Sequence, residues 1–118
     1  VRVSEERLAD GVARVTVEGR LDAVTVPGFE QTLQRLLADG QIRIIVDLGA
    51  VNYISSSGLR ALLTARRQAR IRGGEVLLCQ LHPRVREIFE MVGFISVFGV
   101  YATCQEAAGA FPPRTPAA

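Results

Sequence analysis

Three consecutive serines followed by a glycine, Ser55-Ser56-Ser57-Gly58, stand between the apolar stretch Val51 to Ile54 and an Arg-rich segment. The plain role for such residues is capping, because serine hydroxyls at a helix start accept hydrogen bonds from its free N–H groups. Only one serine can be the N-cap. Two further hydroxyls at an amide-rich, positive helix end form a site that also suits a phosphate, bound or attached covalently to serine. The segment that follows carries Arg60, Arg66, Arg67, Arg70 and Arg72 and no acid. That is the usual composition of a solvated face, and its later arginines suit the negative end of a helix dipole. Only Arg60, in the first turn, is near enough to the serines to pair with a phosphate. Asp22, in Gly19-Arg20-Leu21-Asp22, closes a strand, where a turn or cap role is the alternative to orienting a serine hydroxyl. If that strand end lies beside the serine turn, the carboxylate would oppose a phosphate there.

Other chemistries find little material. The one histidine, His82, precedes Pro83 at a turn, and without a visible partner it reads as an N-cap rather than a general base. There is no GxSxG elbow, GxxxxGK[ST] phosphate loop, GxGxxG turn or HExxH pair. No catalytic residue, cofactor or metal ligand is therefore assigned. Fourteen arginines, no lysine and twelve acids are interspersed to a net charge of +2, which predicts no general nucleic-acid binding. No apolar run reaches the ~18 residues of a membrane span, and VRVSEERLADG at the start has no signal-peptide core. The first residue is Val1, so an initiator Met is expected to precede it. A single domain of 118 residues buries roughly two thirds of its unfolded surface, so it needs no disulfide or metal staple. Cys79 and Cys104 lie far apart in sequence, neither belongs to a CxxC, and one His leaves too few zinc ligands. The expected setting is a reducing cytoplasm.

The elements that would position these residues follow from periodicity. Val1 and Val3 alternate, as do Ala13, Val15 and Val17 against Arg14, Thr16 and Glu18, with Ala9-Asp10-Gly11 as the turn of an opening hairpin. Pro27 suits a first helical turn, and Val26, Phe29, Leu33, Leu36 and Leu37 recur at helical spacing up to Gly40. Ile42 to Leu48 is a nearly continuous β-branched run, the pattern of a strand covered on both faces. A second helix with Leu59, Leu62, Leu63, Arg66 and Ala69 ends at Gly73-Gly74, and strand 75–79 follows. Val85, Ile88, Phe89 and Val92 mark a third helix stopped by Gly93, and Val97 to Val100 a last short strand. Thr103-Cys104-Gln105-Glu106 has the form of a capping box opening a short Ala-rich helix. The order is ββαβαβαβα, a single α/β domain over residues 1–111, with a mixed, mostly parallel sheet and helices packed against it. The Pro-rich tail 112–118 has nothing to bury and is expected to be disordered. Ligand sites in such sheets sit where strands turn into helices, which again singles out the serine turn.

Four segments, GRLD at 19–22, IIVDLGAVNYISSSGLRALL at 44–63, GGEVLLCQLHPRVREIFEMVGF at 73–94 and VYATCQEA at 100–107, together resemble the STAS domain of bacterial anti-sigma factor antagonists. The resemblance spans nearly the whole domain. Its most specific parts are the strand-serine-Gly-Leu turn and the Gly-Gly strand followed by a helix ending in Gly-Phe. It implies a non-catalytic protein that binds an anti-sigma factor bearing a GHKL-type serine kinase domain and thereby frees the sigma factor. Phosphorylation of the serine two positions before the turn glycine, here Ser56, switches binding off, and a metal-dependent serine phosphatase restores it. Ser55 stands where many relatives have Asp. Asp22 matches the family's acid after Gly-x-Leu, which lies near the phosphorylation site. The partner surface implied is Asp22, Ser55, Ser56, Ser57, Gly58, Leu59 and Arg60.

Two other roles use the same residues. Free-standing domains of this kind also serve as accessory subunits of lipid-transport ABC systems or in stress-signalling scaffolds. A nucleotide-binding module would use the serine turn as its anion pocket, with Tyr53 as the one nearby base-stacking aromatic. The Lys-free, Ala- and Arg-rich composition suggests a GC-rich bacterial genome.

Overall fold

A computed structural model describes residues 2–112; of the Pro-rich tail expected over 112–118, residues 113–118 lie outside the described residues. Five strands form one sheet in the order β1 (Arg2–Arg7), β2 (Val12–Leu21), β3 (Arg43–Ile54), β4 (Glu75–Cys79) and β5 (Val100–Tyr101). The opening hairpin is antiparallel and every later pairing is parallel. Its turn takes positive φ at Asp10 and Gly11, the residue types that tolerate it. The crossovers are α1 (Val26–Ala38), α2 (Ser56–Ile71) and α3 (Pro83–Met91), and α4 (Cys104–Ala110) closes the described chain.

Strand parity sorts the core into two unequal clusters. Ala13, Val15 and Val17 of β2, Ile44, Val46 and Leu48 of β3, and Val76 and Leu78 of β4 pack with α1, α2 and α3. Helix faces built on Phe29, Leu33 and Leu36, on Leu62, Ala65 and Ala69, and on Val85 and Phe89 close over them. The opposite face is thin: Val12, Ile45, Leu77 and Cys79 are covered by Cys104 and Ala107 at the start and middle of α4. This is why Ile42 to Leu48 reads as apolar throughout, since Ile44 and Ile45 face different layers.

Two boundaries differ from the sequence expectation. The central strand does not end at Leu48 but runs on to Ile54, because β2 continues beside it to Leu21 after β4 has stopped opposite Asp47. Two register shifts accompany that extension, between Thr16 and Glu18 and between Gly19 and Arg20, with Gly19 at φ 104°. Such bulges re-aim side chains at a strand end. The last strand is only Val100–Tyr101, because Phe94–Ser96 forms a 3-10 turn that brings Phe94 and Phe98 against Phe89.

Candidate functional site

The extended ends of β2 and β3 build the serine turn. Leu21 pairs with Ile54 in register, and the Ser55 amide donates to the Leu21 carbonyl at 2.8 Å, so the residue after Leu21 is fixed beside the start of α2. Ser55 is the N-cap: its backbone is extended and its hydroxyl accepts from the Gly58 amide at 3.3 Å. The hydroxyls of Ser55 and Ser57 lie 2.8 Å apart and hydrogen bond to each other. Both are half-buried, whereas Ser56 is exposed and its hydroxyl bonds no described side chain. The three serines thus divide between a capping pair and one free hydroxyl at the first position of a 16-residue helix whose first turn holds no acid.

Gly58 is required by packing. A Cβ there would sit 2.7 Å from Ile54 Cγ1 and 3.4 Å from Leu21 Cβ, so the absence of a side chain lets α2 seat directly on the ends of both strands. Leu59, 7% exposed, belongs to the main core. Gly58 and Leu59 therefore lie behind the surface rather than on it, which corrects their expected place among the partner contacts. Arg60 is exposed and lines a groove between α1 and α2 with Glu30, Gln34 and Thr64.

Asp22 follows Leu21 and is brought beside the turn, but its carboxylate serves its own loop. Oδ1 accepts from the Val24 and Thr25 amides, both at 3.1 Å, and Arg20 Nε lies 3.7 Å from Oδ2. The Thr25 hydroxyl accepts from the Asp22 amide at 2.9 Å and lies 2.6 Å from the Arg20 carbonyl, to which it donates. These contacts, the Thr25 amide above all, hold the Asp22 carboxyl below the usual aspartate range. Among the described residues it makes no hydrogen bond to a serine hydroxyl. Next to it Val24 is 87% exposed, an apolar side chain with no cover. The Arg20 guanidinium of β2 sits 4.4 Å from the centroid of the Tyr53 ring on the neighbouring β3, so one face of that ring is occupied.

The remaining sequence candidates resolve as follows. His82 caps α3, its Nδ1 accepting from the Arg84 amide at 3.2 Å. Thr103 caps α4 by accepting from the Glu106 amide at 3.1 Å. The Arg-rich face of α2 is only partly free: Arg66 and Arg70 both reach Glu75, at 3.1 and 3.0 Å, and Arg72 donates to the Leu37 carbonyl.

A second cluster, at the end of β4, was not evident in sequence. Cys79 and Cys104, far apart in sequence and not needed to hold so large a core, nevertheless form a disulfide with their Cα atoms 5.2 Å apart. The reason is topological: β5 pairs Tyr101 with Cys79, and the chain then turns into α4, so 25 residues of separation vanish. Asp47, directly opposite Cys79 in β3, is 5% exposed and pairs with Arg14 at 2.7 Å. Its other oxygen accepts from the Gly49 amide at 2.9 Å. Asp47, Cys79 and Cys104 place potential ligand atoms within 4.8 Å of one another, but the sulfurs bond each other and the carboxylate is held by Arg14. The sequence signal for Asp47 was a lone acid inside an apolar strand, which demands a partner.

The fold and site together define a small mixed-sheet α/β domain presenting one free serine at the head of its second helix. A sequence model of the STAS domain matches residues 5–107. The chain belongs to the STAS domain family. A Bordetella bronchiseptica protein named as a candidate anti-sigma factor antagonist, BtrV, is 38% identical over 107 residues, covering 91% of this chain and 92% of that one. The crystal structure of an anti-sigma factor antagonist from Mycobacterium paratuberculosis superposes with a TM-score of 0.83 at 29% identity, covering 92% of both chains. The Bacillus cell fate determinant SpoIIAA, solved in its phosphorylated form, shares the fold with a TM-score of 0.73 at 21% identity, covering 92% of this chain and 97% of that one.

Proposed function

We propose that this protein is an anti-sigma factor antagonist of the bacterial cytoplasm whose binding is switched by phosphorylation of Ser56. The observation that carries the reading is the division of labour among the serines, with Ser55 and Ser57 occupied in the cap and Ser56 left exposed. The relative at 38% identity, named as a candidate antagonist, supports the regulatory part. In this reading the domain is substrate rather than enzyme. Its partners are an anti-sigma factor with a GHKL-type serine kinase domain, which supplies ATP chemistry itself, and a metal-dependent serine phosphatase that resets the switch.

The physics of the switch is local. A phosphate on Ser56 adds about 1.5 to 2 negative charges at a surface that must dock dry. The first-turn amides of α2 and its acid-free start accommodate that charge without refolding. A partner seated over Ser56 would instead have to bury it, and each 1.4 kcal/mol of mismatch is about tenfold in affinity. Exposed residues beside these strand ends and in the first turn of α2, Val24, Arg60 and the Arg20–Tyr53 pair, are available to such a partner.

The test compares wild type, Ser56→Ala and Ser56→Asp, each immobilised and exposed to lysate of the source bacterium without added ATP. A GHKL-type kinase is expected on the first two and on Ser56→Asp at affinity lower by about 100-fold or more, roughly 2.8 kcal/mol. With ATP and magnesium added, the retained kinase should phosphorylate wild type at Ser56 by mass spectrometry. Equal retention on all three proteins, or no kinase on any, would reduce Ser56 to a helix-end residue and bring the transporter-subunit or scaffold role forward.

A further inference from the structure

We propose that the Cys79–Cys104 pair is a thiol–disulfide switch that docks or releases α4 and so covers or uncovers the second face of the sheet. The inference is independent of the role assigned to Ser56.

Its basis is where the bond sits. The main core, under α1, α2 and α3, is continuous and includes every large fully buried side chain except Ile45. That layer has no need of a covalent tie. The disulfide lies instead in the small cluster on the opposite face, where α4 contributes only Cys104 and Ala107 as buried residues. α4 has seven residues, and the strand leading into it, β5, has two. β5 is held to β4 through the Leu78 amide on the Gly99 carbonyl and the Gln80 amide on the Tyr101 carbonyl. Segments with so few buried contacts open locally at small free-energy cost, and a bond across such a segment governs that opening rather than global folding. In a reducing cytoplasm, disulfides that form at all are mostly transient and redox-sensing.

The surroundings suit reversible exchange. Cys79 is fully buried, and Cys104 at 7% exposure is the sulfur that an incoming thiolate reaches first as α4 moves. A dithiol reductant attacks Cys104 Sγ, forming a mixed disulfide and releasing Cys79 as thiolate, which takes a proton from water. The second thiol of the reductant then displaces Cys104 and leaves as the reductant's own disulfide, so two electrons and two protons enter the protein. Closure runs the exchange backwards from a small-molecule disulfide such as oxidised glutathione. The Asp47 charge beside Cys79 is balanced by Arg14, and the Gln80 side-chain Nε2 stands 3.5 Å from both Asp47 Oδ2 and Cys104 Sγ, a donor available to either. Release of α4 would bare Val12, Ile45 and Leu77, an apolar strip that is covered in the closed form.

Hydrogen exchange on the full chain decides the matter. Protein alkylated with N-ethylmaleimide at lysis reports the thiol state by intact mass, and the purified protein is then compared after dithiothreitol and after oxidised glutathione. Reduction should raise exchange at least tenfold across residues 100–110 and leave α2 unchanged, with oxidised glutathione restoring the protection. Cys79→Ser/Cys104→Ser should behave as the reduced form and ignore dithiothreitol. Unchanged exchange at 100–110 overturns the proposal. Loosening of α2 to the same extent overturns it too, since the bond would then be a global staple, and so does failure of oxidised glutathione to close the pair.

Discussion

Two neighbouring parallel strands, β3 and β4, carry opposite chemistry at their carboxyl ends. At the end of β3 a serine hydroxyl stands exposed on a 16-residue helix that is packed into the main core along Leu62, Ala65 and Ala69. At the end of β4 the reactive groups, a disulfide and a charged Asp47–Arg14 pair, are withdrawn beneath a seven-residue helix with two buried residues. A group to be modified by another protein has to be exposed on a scaffold that does not move. A covalent tie is useful where the scaffold is weakest. The same α/β architecture supplies both because its two sheet faces are unequally covered.

The comparison can be broken from either side. The largest effect is expected from Gly58→Val, which leaves Ser56 intact but forces side-chain atoms into Ile54 and Leu21; overpacking of this kind costs about 3 kcal/mol at the upper end. Chemical denaturation should show that loss, and partner capture should fall with it. A Gly58→Val protein of wild-type stability and binding would mean that the rigid seat of α2 is not what presents the serine. Asp47→Asn comes next. It leaves the Arg14 guanidinium, 30% exposed, without its anion, and is expected to cost about 2 kcal/mol in the same measurement while phosphorylation of Ser56 proceeds at the wild-type rate. A coupled loss of both would show that the two strand ends are not separate.

The smallest effect concerns the Asp22 loop. Its carboxyl is held low by the Thr25 and Val24 amides, and Glu5 is likewise lowered by its pairing with Arg35. A lowered folded-state pKa means that each group stabilises the fold above the ordinary carboxylate pKa of about 4 and that the contribution disappears as pH falls through the folded value. The melting-temperature difference between wild type and Asp22→Ala should therefore be small and positive at pH 7 and shrink toward zero on acidification below about pH 4. A difference that grows on acidification would contradict this sign.

Much of the fold was legible in sequence for one reason: helix and strand periods were clean wherever a segment faced a single layer. Ala13-Val15-Val17 and Phe29-Leu33-Leu36 announce their buried faces, and both find them. The caps at His82 and Thr103 were legible because capping is chemistry between neighbours in the chain. The boundaries that moved depended on partners elsewhere. β3 is lengthened by β2 lying alongside it, and the last strand is shortened because Phe94 and Phe98 turn toward Phe89.

The site divides along the same line. The motif alone placed three serines and a glycine at a helix start, since that is a local backbone requirement, and it marked the acid after Gly-x-Leu. It could not say which hydroxyl is free, because that depends on the 2.8 Å contact between Ser55 and Ser57 once the helix turn has formed. Nor could it show that Gly58 is packed against Ile54 and Leu21, that Asp22 Oδ1 accepts from the Val24 and Thr25 amides, or that Cys79 meets Cys104. Those outcomes belong to tertiary structure, because they are set by parallel strands joined through helical crossovers, which bring together residues whose separation along the chain carries no trace of their contact.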